Sequence, residues 1–535
     1  MSGTPPFGDT SLPGSTAGST AVSAATLDAA TPATRDRWAD ALRVGSLLVV
    51  VGGHWLMVAV TPDGEISNTL KIIPALQPLT WVLQVMPLFF LVGGVAHAHS
   101  LESLAGSKGS TTGRYAVFVR ARAARLLRPS AVFLAVWLGV GVVADRAGWT
   151  SGDQSRLIVA ALVVVPQLLW FVGIYLGVGA CAPMMWRLHQ RWGLCAVAGL
   201  AAAACLVDLV RFGGGPELVG NVNFALVWLT LHQLGFCWRD GLLTTRAGAA
   251  LTVLGGVGLA LAITVGPYPT SMVGLPGDAV SNMAPPTVAL LAQGFAIIGV
   301  AVLVRGPMDR ILHRPRVWKA VVMAGTFAMT AFLWHLTALL ITLLTARSLG
   351  ITLPDVGTAA WWWTRPVWFV VLAVPTAALV GVFVRFDGGP HSASGALDET
   401  RRWVDSLAAV GAFVTFFGIL MVSMAGVDIL GNRPVYFLGS GRNRVQMVSA
   451  WDVADACLLA AHTPAARGGV FNLGALEVPT VREQVMKPRL GCSSFPSAQR
   501  VQMSRAPQRH DGTDCLARRL HLRDAHTALP LPLLV

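Results

Sequence analysis

The chain has 535 residues, of which 54% are apolar and 13% charged, against about 25% charged in an ordinary soluble protein. With a mean hydropathy of +0.60 and many apolar runs long enough to cross a bilayer, this excludes a soluble globular protein and indicates an all-α polytopic membrane protein. The net charge of +13 requires no nucleic acid, since basic cytoplasmic loops give the same excess and no stretch interleaves aromatic and basic residues as a nucleic-acid-binding module does.

Residues 1–34 are rich in Ser, Thr, Ala, Gly and Pro and are expected to form a disordered leader. A basic segment followed at once by an apolar core is absent there, so no signal peptide is read. Eleven spans are predicted, at 43–61, 80–98, 129–145, 157–180, 193–210, 222–238, 247–266, 286–304, 320–345, 366–385 and 404–428. Alternate loops carry eighteen Lys or Arg against six in the other set, which puts the N-terminus and the richer loops in the cytoplasm of a plasma (inner) membrane protein.

The first span opens R-V-G-S-L-L-V-V-V-G-G-H, from Arg43 to His54. In a helix, eleven steps of about 100° return His54 to nearly the face of Arg43, about 16 Å further along the axis. An ionisable group at that depth is expensive in lipid, so it belongs in a protein-lined cavity, where an imidazole can act as a general base. The second span contains Gln84 and Pro87, and its Gly93–Gly94 pair allows close approach of another helix. Next comes the basic stretch R-A-R-A-A-R-L-L-R-P, expected in the loop before the third span, with spacings of three that set Arg122, Arg125 and Arg128 along one helical side. Its Arg122, Arg125 and Arg128 offer forked donors suited to phosphate. Gln167 and Trp170 follow in P-Q-L-L-W-F, then Asn221, Asn223, His232 and Gln233 around the sixth span, and His335 within the ninth. Together they indicate a polar interior. Trp361, Trp362 and Trp363 precede the tenth span, where indoles favour the headgroup layer. No C-x-x-C pair or framework spacing occurs among the cysteines, and no metal site is read.

Beyond residue 430 the character changes. Residues 431–486 read as a short α/β-like soluble remnant, and 487–535 as a disordered basic tail.

Arg43-x10-His54, the arginine stretch ending at Pro129 and the L-W-F at 169–171 resemble the acyltransferase-3 family of integral membrane acyltransferases. So do H-Q-L-G-F-C-W-R-D-G (232–241), Y-P-T-S-M-V-G-L-P-G (268–277) and S-N-M-A-P-P-T (281–287), which are similar to its actinobacterial branch. The resemblance covers roughly residues 35–430. One departure is that Val92-Gly93-Gly94 stands where many members have a Ser-Gly-Phe-like turn. The resemblance implies an enzyme transferring groups other than amino-acyl groups. It would move an acyl group from acyl-coenzyme A, a substrate rather than a bound cofactor, to a hydroxyl of a glycan or glycolipid.

On that reading His54 and Arg43 are the catalytic pair, with His54 as base. Arg43 joins Arg122, Arg125 and Arg128 in holding the coenzyme's phosphates. Gln84, Trp170 and His335 are candidates for the oxyanion site or cavity wall. Periodicity alone fits a multi-span transporter or flippase equally well, although no internal repeat favours it. A second resemblance, over residues 435–485, is to the C-terminal half of extended short-chain dehydrogenases and epimerases. The dinucleotide fingerprint and Tyr-x-x-x-Lys pair of that family are missing, which implies a fused remnant.

Overall fold

The computed structural model describes residues 23–60, 66–106, 114–149, 156–275, 278–387, 411, 471–474 and 502–505. Helix α1 (Ala24–Ala29) is capped by Ser23, whose hydroxyl accepts from the Thr26 N–H. Residues 23–34 thus depart from the structureless leader expected of them. Asp28 holds Arg37 at 2.6 Å, and the Trp318 indole donates to the Thr31 hydroxyl at 2.7 Å. Tertiary contacts order a stretch that its composition does not.

Helix α2 (Arg37–Met57) starts where the Asp36 carboxylate accepts from the Ala39 N–H, and it ends one turn past His54. Strands β1 (Val58–Val60) and β2 (Ile66–Asn68) then pair antiparallel. The short helices α3 (Thr69–Ile72) and α4 (Thr80–Leu83) lead into α5 (Met86–Gly106). The chain continues through α6 (Arg114–Arg146), α7 (Arg156–Gln167), α8 (Leu169–Trp192) and α9 (Leu194–Phe212) to α10 (Asn223–Arg239) and α11 (Thr245–Thr264). After a loop at 265–287 come α12 (Val288–Leu303), α13 (Arg305–Leu312), α14 (Pro315–Ser348) and α15 (Ala359–Phe383).

Eight stretches among the described residues are long and apolar enough to cross a membrane; α12 with α13, bent by 57°, makes a ninth. Helix α10, at 17 residues, falls just short in length and is buried on nearly every face. These ten follow the first ten predicted spans in order. The eleventh, at 404–428, lies outside the described residues save for Gly411. One boundary moves substantially. The arginine stretch expected as a loop is helical, because α6 runs unbroken from Arg114 through Pro129. Good helix formers separate its arginines, and Ala116 and Phe118 give that segment a buried side.

In the C-terminal part, β3 (Phe471–Gly474) pairs antiparallel with β4 (Gln502–Arg505), the latter within the tail expected to lack structure. The rest of the epimerase-like stretch lies outside the described residues.

Two devices set the interior. Helices α5 and α10 cross backbone to backbone: a Cβ on Gly94 would stand 2.1 Å from the His232 carbonyl oxygen, and one on Gly235 2.1 Å from that of Leu91. Only glycine fits such a crossing. On the side of the molecule carrying the 265–287 loop, the Asn282 amide donates to the Pro269 and Ser271 carbonyls while its oxygen accepts from Thr287. The Trp81 indole donates to Thr270, and the Met272 N–H to Thr80, tying that loop to α4.

Candidate functional site

His54 sits in the last turn of α2, and the fully buried His335 in the middle of α14. Their rings stack with centroids 5.0 Å apart, His54 Nδ1 lying 2.8 Å from His335 Nε2. His335 Nδ1 is 2.6 Å from the Phe332 carbonyl oxygen. A carbonyl can only accept, so that nitrogen carries the hydrogen and, in the neutral ring, Nε2 is bare. His54 Nδ1–H therefore donates to His335, which leaves the lone pair of His54 at Nε2. The scaffold around the pair is also fixed: the Trp55 indole donates to the His335 carbonyl at 3.3 Å, and the Trp368 indole to the Trp55 carbonyl at 3.2 Å.

His54 lines a cavity of about 150 Å³ whose polar side chains include Thr69, Thr80, Gln84, Gln167 and Trp170. The rest of the wall is mostly aliphatic and aromatic. The two glutamines differ in what they are free to do. The Gln84 amide nitrogen reaches the Met272 carbonyl at 3.3 Å and the Met283 sulfur at 3.4 Å, so it secures the 265–287 loop. Among the described residues neither the Gln167 amide nor the Trp170 indole N–H has a hydrogen-bond partner, although Gln167 is only 8% exposed. Of the three residues singled out for this wall, Trp170 keeps an open donor, Gln84 is engaged, and His335 spends both nitrogens behind His54. Gln167, noted only as polar in apolar surroundings, is the donor that sequence ranking passed over.

The arginines gather elsewhere. Arg122 donates to the Ser100 hydroxyl, lies 4.2 Å over the Phe118 ring, and lines a second cavity of about 200 Å³ with His97, Tyr175 and Gly179. Arg125 and Arg128 are exposed further along α6 and do not line it. Arg43 pairs with Asp40 at 3.0 Å and lines neither cavity. The charges of Arg43, Arg122 and Arg125 each bear on Tyr175. Arg43 thus belongs with the loop-side arginines rather than beside His54, about 16 Å away along α2.

Between the cavities stands a layer of rings. Phe89 meets Phe171 at 4.8 Å and Tyr175 at 5.2 Å, while Phe171 meets Phe332 at 5.5 Å. Helix α8 passes through this layer, giving Trp170 and Phe171 to one cavity and Tyr175 and Gly179 to the other. Away from both, buried Asp208 accepts from Asn223, Tyr268 and the Val288 N–H, clamping the 265–287 loop to α9, α10 and α12. Burial and the Asp208 charge push the Tyr268 phenol up from its ordinary value, which keeps it a donor.

His97 is a second residue that sequence reasoning missed. Its Nδ1 lies 2.9 Å from His232 Nε2, and both rings are buried. It falls at the end of a predicted span, where a basic residue reads as a marker of the membrane edge. The usable signal was its position three residues after Gly94, on the side of α5 that meets α10.

A family model described as an acyltransferase domain, of the acyltransferase-3 type, matches residues 36–385, a stretch that holds both histidine pairs. No curated protein and no solved structure matches the chain.

Proposed function

The chain belongs to the acyltransferase-3 family, a membrane enzyme transferring groups other than amino-acyl groups, and on that premise we propose that its donor is acyl-coenzyme A and its acceptor a hydroxyl of a glycan or glycolipid. The observation that carries this reading is the hydrogen-bond chain from the Phe332 carbonyl through His335 to His54, which leaves a bare nitrogen on the wall of the smaller cavity. A hydroxyl is a poor nucleophile at neutral pH, and a positioned imidazole lone pair is what removes its proton as attack begins.

The reaction then runs in one chamber. The acceptor oxygen bonds to the thioester carbon while its proton passes to His54 Nε2. The imidazolium so formed keeps its Nδ1–H on His335. Negative charge collects on the former carbonyl oxygen, for which the Gln167 amide and Trp170 indole are the open donors. Collapse breaks the carbon–sulfur bond, and the departing thiolate takes the proton back from His54. The ester and free coenzyme A are the products. A cavity of about 150 Å³ is the size at which an engineered apolar site takes up benzene, so the acyl chain it suits is short, about six carbons or fewer. The excess of basic residues on the arginine side supports a cytoplasmic position for that face and for the N-terminus. Arg43, Arg122 and Arg125 there receive the coenzyme's phosphates.

The test uses purified protein in nanodiscs with radiolabelled short-chain acyl-coenzyme A and a glycolipid extract. Label should move into ester linkage with the wild type and not with His54→Ala, while both insert equally. Equal transfer by the variant would remove His54 from the mechanism. Movement of intact acceptor across the bilayer without ester formation would favour the transporter reading.

A further inference from the structure

The wall of the His54 cavity is unlike a surface that holds a sugar. Its Thr69 hydroxyl donates to the Leu56 carbonyl, and its Thr80 hydroxyl donates to the Gln77 carbonyl while accepting from the Met272 N–H. Gln84 is tied to the 265–287 loop, and Gln167 and Trp170 are taken by the oxyanion. What faces an acceptor is then His54 Nε2 among Val, Leu, Met and Phe side chains, with no charged residue in the described lining. A free sugar would lose water from its other hydroxyls there and gain few partners in return. At about 150 Å³ the cavity is also filled by the acyl group alone. An acceptor must therefore reach His54 at the mouth and keep the rest of its body outside.

The mouth has a definite chemistry. Leu79 precedes α4 and Leu83 ends it; both line the cavity, yet they are 49% and 45% exposed. Val82 beside them is 70% exposed. All three belong to the stretch Pro74–Gly106, long and apolar enough to cross a membrane, so the solvent against them is lipid. The same lining includes Val50 and Gly53 of α2 and Val164 of α7, each only partly buried.

The depth agrees. The Trp368 indole is bonded to the carbonyl of Trp55, the residue after His54. On α15 the exposed indoles of Trp362 and Trp363, suited to the headgroup layer, stand five and six residues earlier, about 8 to 9 Å nearer the surface. His54 thus lies just beneath the headgroups of the leaflet on the 265–287 loop side, where the head of a lipid joins its tails.

We infer that the acceptor is a membrane lipid that comes to His54 sideways, through the opening walled by Leu79 and Leu83, offering a hydroxyl at the base of its headgroup while its tails stay in the bilayer. This rests on the acyl-transfer reading above and narrows its acceptor to lipid-borne glycans.

The experiment uses full-length protein in nanodiscs, radiolabelled short-chain acyl-coenzyme A and the two phases of one envelope extraction. Glycolipids are placed in the nanodisc bilayer and water-soluble glycans in the buffer, at equal hexose content. Ester label should enter the lipids about tenfold faster than the soluble glycans, or more. Leu79→Trp and, separately, Leu83→Trp crowd the opening from its lipid side and should lower kcat/KM for the lipid acceptor about tenfold. KM for acyl-coenzyme A should not change in either, which shows that both are folded. Val370→Trp, on the lipid-exposed face of α15 and outside the cavity wall, should alter neither value. Soluble glycans acylated as fast as lipids, or lipid acylation untouched in both Leu variants, would overturn the lateral route and leave acyl transfer standing. Label entering neither phase with the wild type would remove the acyl-transfer reading and this inference with it.

Discussion

Each of the two cavities is lined by one imidazole hydrogen-bonded to a second behind it, 2.8 Å apart in one and 2.9 Å in the other, but the pairs end differently. Behind His54 the chain terminates on the Phe332 carbonyl, which fixes every hydrogen along it and turns a lone pair towards the smaller cavity. Behind His97 it terminates on His232 Nδ1, buried with no partner among the described residues. A buried N–H in that state is costlier than a bare acceptor, so His232 Nε2–H donates and His97 turns an N–H towards the larger one. The same two-ring unit thus presents an acceptor on one side of the aromatic layer and a donor on the other. What sets the polarity is the group furthest from the cavity, not the residue facing it. One side-chain type can thus present either polarity to a cavity.

The comparison breaks most visibly at His54. His54→Ala should lower kcat by about 10²- to 10⁴-fold, the usual worth of a positioned base, while desulfo-coenzyme A binding stays within about twofold by calorimetry. A matching loss of binding would mean that the two cavities are not separate in function. Next in size is Gln167→Leu, close to isosteric, for which we expect kcat down about 10²-fold with KM for both substrates unchanged. Gln84→Leu is the control. It should act through the 265–287 loop, lowering thermal stability before it lowers kcat.

The polarity argument is sharpened by His335. Replacement by Leu removes the acceptor of the His54 Nδ1–H and should cost about tenfold or more in kcat, since an imidazole free to change tautomer is a poorer base. His335→Gln supplies an amide oxygen in that place and should recover part of the loss; equal rates in the two variants would show that the tautomer is set elsewhere. The smallest effect belongs to a truncation after Gly431. The acyltransferase family match ends at residue 385 and no described residue beyond 411 lines either cavity, so kcat and KM should stay within about twofold of the full chain.

Much of the architecture was legible because lipid imposes a simple rule. Runs of apolar residues of bilayer length became helices in the expected order, and a histidine set deep in the first run lines a cavity. Contacts across the chain were not legible. His54 and His335 are 281 positions apart, and nothing local to either says that they touch or which nitrogen is bare. Gln84 and Gln167 look alike in sequence, each a lone amide among apolar neighbours. Only the folding of a distant loop over Gln84 makes one a strut and leaves the other open. The arginine stretch misled for a different reason. Its place between two apolar runs suggested a loop, whereas its Ala and Leu continue the helix and Ala116 and Phe118, one to two turns earlier, pack it.

The glycine crossing of α5 and α10 has a mechanical consequence. With no side chains between the two backbones, the helices cannot be pressed closer, and they have no methyl groups over which to slip by a notch. What such a joint permits is rocking about a fulcrum. Helix α5 carries Gln84's neighbourhood at one end and His97 near the other, so a tilt that widens one mouth narrows its opposite. The walls of the two cavities are in that sense hung on a single pivot, since one rigid helix contributes Met86 to the first and His97 to the second.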